Sequence, residues 1–391
     1  MIRHAPLVLA ALPLLAAAVA GAFASGVIAV VLLAGLWIAG QDRNTPVLAA
    51  MLGLLLAAGL ASVTVKSTVA EALLFAAAVI GAVQCHRLPD LVPARALDRA
   101  ATVFLAAAIL LPVLVLAHGL LLHRALIPPW SLAPDLLAKP TFVAMTLVAP
   151  ATVLLWRRGA RLGAALFVAF MAVMALGSAS STATLAFGVA ALTLLLARWR
   201  PGLGLALIAA VLLGPLVLSV GIQAAGVSDW TEIGLRLSWT YRLELWQRAL
   251  ILFQEAPLTG HGFDSFADAA LAVDLGPLGL DMGRNHPHAA VMQLLAEGGV
   301  PAALAFALLV WLAASRPRLA DATDTAARLA AVAAGLTPLA IGLNLWADIS
   351  VALVLYPWLA CGLFLAPAPD RPAGSGWNRT GSRRSPSTSA V

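Results

Sequence analysis

Charge is what this chain has least of. Only 11% of its 391 residues are charged, where a soluble domain carries about 25%. The few charges sit in short clusters between long apolar runs, which excludes an ordinary water-soluble globule. Cysteine is nearly absent. Cys85 and Cys361 both fall near predicted cytoplasmic span ends, which argues against a structural disulfide, and nothing in their spacing suits a metal. The period-two alternation of a membrane β-barrel is missing, so helices must satisfy the backbone in lipid. There is no internal repeat and no linker dividing soluble domains. The net charge of +6 mostly reflects basic loops on one membrane face, and gives no argument for nucleic acid.

What is there is apolar length. A helix needs ~17–25 residues to cross the hydrocarbon core. The sequence predicts an all-α polytopic membrane protein with about twelve transmembrane helices, at 5–22, 24–40, 45–63, 68–85, 100–122, 141–156, 162–178, 182–198, 203–222, 289–314, 327–346 and 350–366. Arg3 before an apolar run has the look of a secretory signal. Gly21 to Ser25 leads straight into another span, however, so the first helix is read as retained. Residues 1–366 form one membrane domain, and the Pro-, Gly-, Ser- and Arg-rich segment 367–391 reads as a disordered cytoplasmic tail.

Orientation follows from the cations. With both termini cytoplasmic, 17 of the 24 Lys and Arg face inward: Arg3, Arg43, Arg87, Arg95, Arg99, Arg157, Arg158, Arg161, Arg198, Arg200, Arg316, Arg318, Arg328, Arg371, Arg379, Arg383 and Arg384. Seven face outward: Lys66, Arg124, Lys139, Arg236, Arg242, Arg248 and Arg284. Four of those seven lie in one segment, 223–288, the large periplasmic loop between helices 9 and 10. The other loops, 86–99 and 123–140, are shorter.

The polar chemistry concentrates between Arg242 and Glu297. Leu243, Trp246, Leu250 and Phe253 recur at helical spacing, predicting a helix over 241–255 that Pro257 stops. That helix is amphipathic enough to lie on the membrane surface or cap the bundle. Residues 258–286 read as loop, and Pro287 suits the first turn of the next helix, placing His286 and His288 at the outer mouth of span ten. Cations and imidazoles gathered in one extramembrane loop suggest a site for an anionic substrate.

Several motifs stand here in order: Arg242-x-Glu244-x-Trp246, Pro257-Leu258-Thr259-Gly260-His261-Gly262-Phe263, Asn285-His286-Pro287-His288, Gln293 and Glu297-Gly298-Gly299-Val300-Pro301. The set resembles the O-antigen ligase / O-antigen polymerase superfamily of bacterial envelope glycosyltransferases. Ser180-Ser181-Thr182-Ala183 resembles the family's Ser-Arg-x-Ala segment, with Ser181 where ligases often carry Arg. Ala289 stands where Asn is usual after the histidine. The resemblance implies a GT-C-like enzyme in the bacterial inner membrane. It would use no cofactor or metal, and would move a glycan from an undecaprenyl-diphosphate carrier to a glycan or lipid-core acceptor at the periplasmic face.

On that footing Arg242 is the expected diphosphate partner, because a guanidinium offers a fixed fork of donors. His288 is the expected base, and His286 its alternate, because imidazole titrates in the right range. Glu297, Gln293, Ser181 and Arg284 are assigned to substrate binding; one of Arg236, Arg248 and Arg284 could replace the arginine missing at Ser181, though each also reads as a solvated loop charge. Glu297 reads equally as one half of a structural ion pair. Gly260 and Gly262 serve the turn. Trp246 reads as an interfacial anchor, Arg236 and Arg248 as solvated loop charges, and His261 as incidental. Glu71, His118, Asn344 and Asp348 are polar groups near outer span ends that could line an acceptor cavity or join helices. The rival reading is a twelve-helix secondary transporter for a polar or anionic solute. Carriers usually show repeat symmetry, and none is visible.

Overall fold

Alanine- and leucine-rich runs leave the backbone one way to satisfy itself in lipid. In the computed structural model, all described secondary structure is helical. The structure describes residues 4–18, 20–41, 45–64, 67–85, 87–125, 133–178, 180–227, 237–271, 286–315, 322–345 and 348–365. Among these the helices are α1 (Ala5–Ala11), α2 (Pro13–Ala18), α3 (Ala20–Gln41), α4 (Thr45–Thr64), α5 (Ser67–Cys85), α6 (Leu88–Leu91), α7 (Ala94–Ala125), α8 (Ala133–Arg157), α9 (Arg161–Gly177), α10 (Ser181–Trp199), α11 (Pro201–Ala224), α12 (Leu237–Glu255), α13 (Phe266–Leu271), α14 (Ala290–Ser315), α15 (Ala322–Ile341) and α16 (Asp348–Phe364). Six of them, within α3, α7, α8, α10, α11 and α14, are long and apolar enough to cross a membrane. The protein is a polytopic, all-helical membrane protein.

Element boundaries differ from the sequence reading where proline and loop composition mislead. The predicted span 5–22 is interrupted at Leu12, which keeps helical dihedrals while Pro13 has no N–H to continue the ladder. Much of the predicted loops 86–99 and 123–140 is helix: α6, the start of α7, and the first turns of α8, which run through Pro140. The predicted loop 258–286 contains α13. The tail 366–391 and the stretches 228–236 and 272–285 lie outside the described residues.

The bundle is organised around α15. After Arg328 the helix carries no charge, as suits an interior helix, and every residue from Ala326 to Ile341 is buried. It packs against α10, α8, α16 and α11. Small residues set the spacing: a side chain at Gly335 would strike the Leu353 carbonyl of α16. The two neighbours α10 and α15 run in opposite senses. The start of α10 meets the end of α15, where a side chain on Gly342 would press on Thr182. The other end is gathered by Arg157, which closes α8 and bonds both Asp324 in the first turn of α15 and the Leu365 carbonyl after α16. Twenty residues of α15 span about 30 Å, the thickness of the hydrocarbon core. The bundle therefore has two ends a membrane apart, and their chemistry differs.

Candidate functional site

The end of α15 is the hub. Its chain turns at Gly342, where a side chain would crowd Thr182, and the N–H groups of Gly342 and Leu343 both donate to the Pro338 carbonyl. Three side chains from other elements hold the turn that follows. Arg242 Nε donates to the Ile341 carbonyl at 2.9 Å. His288 Nδ1 donates to the Gly342 carbonyl at 3.2 Å. The Gln293 amide accepts from Leu345 N–H at 3.1 Å and donates to Asn344 Oδ1 at 3.0 Å. Arg242 and His288 thus sit on consecutive carbonyls, and Ser181 stands exposed at the start of α10, beside Thr182.

Helix α12 presents Arg242, yet it is no surface helix. Residues 243–250 are all buried, and it packs on α14, α11 and α13. Trp246 is 2% exposed and its Nε1–H donates to the Pro287 carbonyl at 2.8 Å, so it is a buried strut between α12 and the histidine segment, not an interfacial anchor. Arg248 is no solvated charge either. It pairs with buried Glu244 at 2.9 Å and donates to the Ala270 carbonyl of α13. That pair occupies Glu244 one turn along and leaves Arg242 aimed elsewhere. The Arg242 guanidinium also donates from Nη1 to the Ser238 carbonyl and lies 5.3 Å from the Trp239 ring centre. Among the described residues nothing accepts from its Nη2.

Pro287 is not in the first turn of α14, which begins at Ala290. Instead His286 and Pro287 lead in, and His288 takes a left-handed conformation (φ 53°), uncommon for a non-glycine residue. This turns the two imidazoles together, ring centres 4.1 Å apart. His286 Nε2 is buried with no partner among the described residues.

A family model described as O-antigen ligase matches residues 164–307. The resemblance to the O-antigen ligase/polymerase superfamily is shown over that segment. No curated protein and no solved structure matches the chain. The matched segment runs from α9 into α14 and contains Ser181, Arg242, Gly260, Gly262, His286, His288, Gln293 and Glu297. The turn after α15 that Arg242 and His288 hold lies beyond it.

Within the matched segment, α14 is broken at Gly299 (φ 65°), and the glycine turn repairs the break. Pro301 has no N–H for the Glu297 carbonyl, and Gly262 N–H donates there instead at 2.8 Å. Val300 N–H turns away to the Pro257 carbonyl, and His261 N–H takes over the Ala296 carbonyl. Gly260 (φ 60°) lies so close that a side chain would strike the Glu297 backbone. His261 also reaches the Leu252 carbonyl through Nε2. Glu297, 1% exposed, accepts from Gln293 Nε2 and from Asp264 N–H. It anchors the turn and orients Gln293 toward the hub.

Electrostatics favour neutral imidazoles. Burial lowers the His288 pKa; the bond to the Gly342 carbonyl opposes this, and the Arg242 charge adds to the lowering. Burial and His288 push His286 down to about 3. Because a carbonyl only accepts, the proton of neutral His288 sits on Nδ1 and its lone pair is on Nε2. Two contributors escape sequence reasoning. Tyr241 faces His288 with ring centres 6.5 Å apart, and burial, then Glu244, raise its pKa, keeping it a neutral phenol. The other is the Ile341–Gly342 backbone. The chain has only two tyrosines, one beside Arg242, and Gly342 ends a long apolar run; those were the available signals. Arg284 and Arg236 lie outside the described residues, as do the side chains of Glu71, His118 and Asp348. Among the described residues no three His, Cys, Asp or Glu side chains cluster as metal ligands do.

Proposed function

We propose that the protein is a ligase- or polymerase-type glycosyltransferase acting at the periplasmic face, with an undecaprenyl-diphosphate-linked glycan as donor and a sugar hydroxyl of a glycan or lipid core as acceptor. The observation that carries this reading is the seating of Arg242 and His288 on the consecutive carbonyls of Ile341 and Gly342. A fixed cation beside a neutral imidazole with a free lone pair suits displacement of a stable anion by an alcohol.

His288 Nε2 takes the proton as the acceptor oxygen attacks the anomeric carbon. The bond from that carbon to the diphosphate oxygen breaks, and the lipid diphosphate leaves with its charge on the open Nη2 side of Arg242. Preorganised donors in a water-excluded site stabilise such charge without reorganising at the moment of reaction. The guanidinium is also held by two carbonyls, which fixes its fork. His286 keeps the second imidazole in reserve at the same face, Gln293 and Glu297 hold the hub, and Ser181 and Arg284 complete the donor site. The step needs no metal. Both termini are cytoplasmic, because the end of the bundle carrying Arg157, Arg158, Arg161, Arg198 and Arg200 lies opposite the site.

The test is glycan transfer by purified protein in detergent from an undecaprenyl-diphosphate donor, with lipid-core and lipid-linked acceptors in separate arms. Product with the lipid core makes it a ligase, and product with a second lipid-linked glycan makes it a polymerase. The expected activity survives EDTA. Inhibition reversed by a divalent ion would remove the metal-free step, and no transfer to either acceptor would remove the reading.

A further inference from the structure

At the end of the bundle opposite Arg242 and His288, the last turns of α8 and α10 and the first turn of α15 enclose a cavity of about 420 Å³. Thr152, Trp156 and Arg157 line it from α8, Arg198 from α10, and Thr323 from α15. Its two guanidiniums differ in state. Arg157 is locked by Asp324 and the Leu365 carbonyl, so its position is fixed while much of its charge is balanced. Arg198 is exposed and makes no hydrogen bond or ion pair with any described residue. Its full fork of donors is available. The Thr323 hydroxyl is likewise uncommitted among the described residues.

The surroundings belong to a lipid–water boundary. Trp156 is 57% exposed with Arg161 over its ring at 5.3 Å, and Trp199 is 76% exposed with Arg200 at 5.9 Å. Tryptophan and arginine at helix ends mark headgroup depth. Beside them α9 and α10 expose Leu162, Leu166 and Leu195, the surface an acyl chain covers. Basic pockets between transmembrane helices at such a depth bind anionic headgroups. The volume is too large for a bare ion and suits a glycerophosphate.

We propose that this pocket seats the headgroup phosphate of an anionic glycerophospholipid, with Arg198 as its open donor fork and Arg157 and Thr323 also lining it. The lipid would join α8, α10 and α15, two of which lead directly to the hub. The inference does not depend on the reaction proposed above.

The test uses full-length protein, stripped of lipid in neutral detergent and titrated with phosphatidylglycerol, phosphatidylcholine or inorganic phosphate. Retained lipid is read by native mass spectrometry and thermal melting is followed in parallel. Phosphatidylglycerol should be retained and should raise the melting temperature, and phosphatidylcholine should do neither. Arg198→Gln should weaken retention at least about tenfold, the size of a lost hydrogen bond to a charged group. Arg198→Lys should fall between Arg198→Gln and wild type. Arg200→Gln makes the same charge change outside the pocket and should bind as wild type does. Arg198 has no partner to lose, so the unliganded variants should melt alike. Equal retention of the two lipids, or equal loss in Arg200→Gln and Arg198→Gln, would overturn the site. Saturation by inorganic phosphate without preference for the anionic lipid would overturn the lipid assignment.

Discussion

Burial chiefly keeps His288 neutral, and the neighbouring Arg242 cation adds to that effect. Both act against the Gly342 carbonyl, so the imidazole is neutral at pH 7 and its basic limb lies below the ordinary value near 6.5. Replacing the cation should move that limb: residual activity of Arg242→Gln should lose its acid side at higher pH than Arg242→Lys, read from pH–rate profiles. Arg242→Lys itself should remain slow, on the order of 10²–10³ in rate, because an ammonium keeps the charge and loses the fork. Stability carries the same signature. His286 and His288 have folded pKa values below their unfolded ones, so the unfolded chain binds protons first. Stability is whole above about pH 6.5 and falls as pH drops toward the folded pKa values, for His286 about 3, by at most about 1.4 kcal/mol per pH unit for each group. Melting curves should show this loss on acidification, and His286→Gln should flatten it.

The broken α14 and the glycine turn are one device. Gly299 and Pro301 open the helix, and the backbone of 257–262 fills the vacated hydrogen bonds, which seats Glu297 and Gln293 against the hub. The two turn glycines should therefore differ. Gly260→Ala combines φ 60° with a clash against the Glu297 backbone and should cost at least about 2 kcal/mol. Gly262→Ala meets only strain at φ 101°, with open space around it, and should cost about 1–2 kcal/mol. Scanning fluorimetry in detergent ranks them, and an equal or reversed order would contradict the fit of the turn against the broken helix. The sequence pattern gave α12 within a few residues, because its apolar spacing is strong. It misread Trp246 and Arg248, because a period cannot tell a helix lying on a membrane from one clamped between α11, α13 and α14. It missed the exchange of bonds around Glu297 because backbone partners leave no trace in residue identity.

Across the whole molecule, apolar length and the absence of alternation were enough to give an all-helical membrane protein. Individual boundaries were not, since prolines 13, 140 and 301 have different effects in their contexts. The juxtaposition of the site with residues 341–345 depends on α15 returning through the bundle, which no local pattern encodes. Cysteines placed at Ser228 and Asp274 should react with an impermeant maleimide in intact spheroplasts while one at Ser385 stays protected; the reverse pattern inverts the protein. The central claim is a single outward site in which Arg242 and His288 transfer a glycan. Its most direct measurement is transfer from an undecaprenyl-diphosphate donor by purified wild type, His288→Ala and Arg242→Ala, with donor binding followed in parallel. The account predicts that His288→Ala binds donor and makes no product, and that Arg242→Ala is slowed on the order of 10²–10³. Full activity in both variants would contradict it.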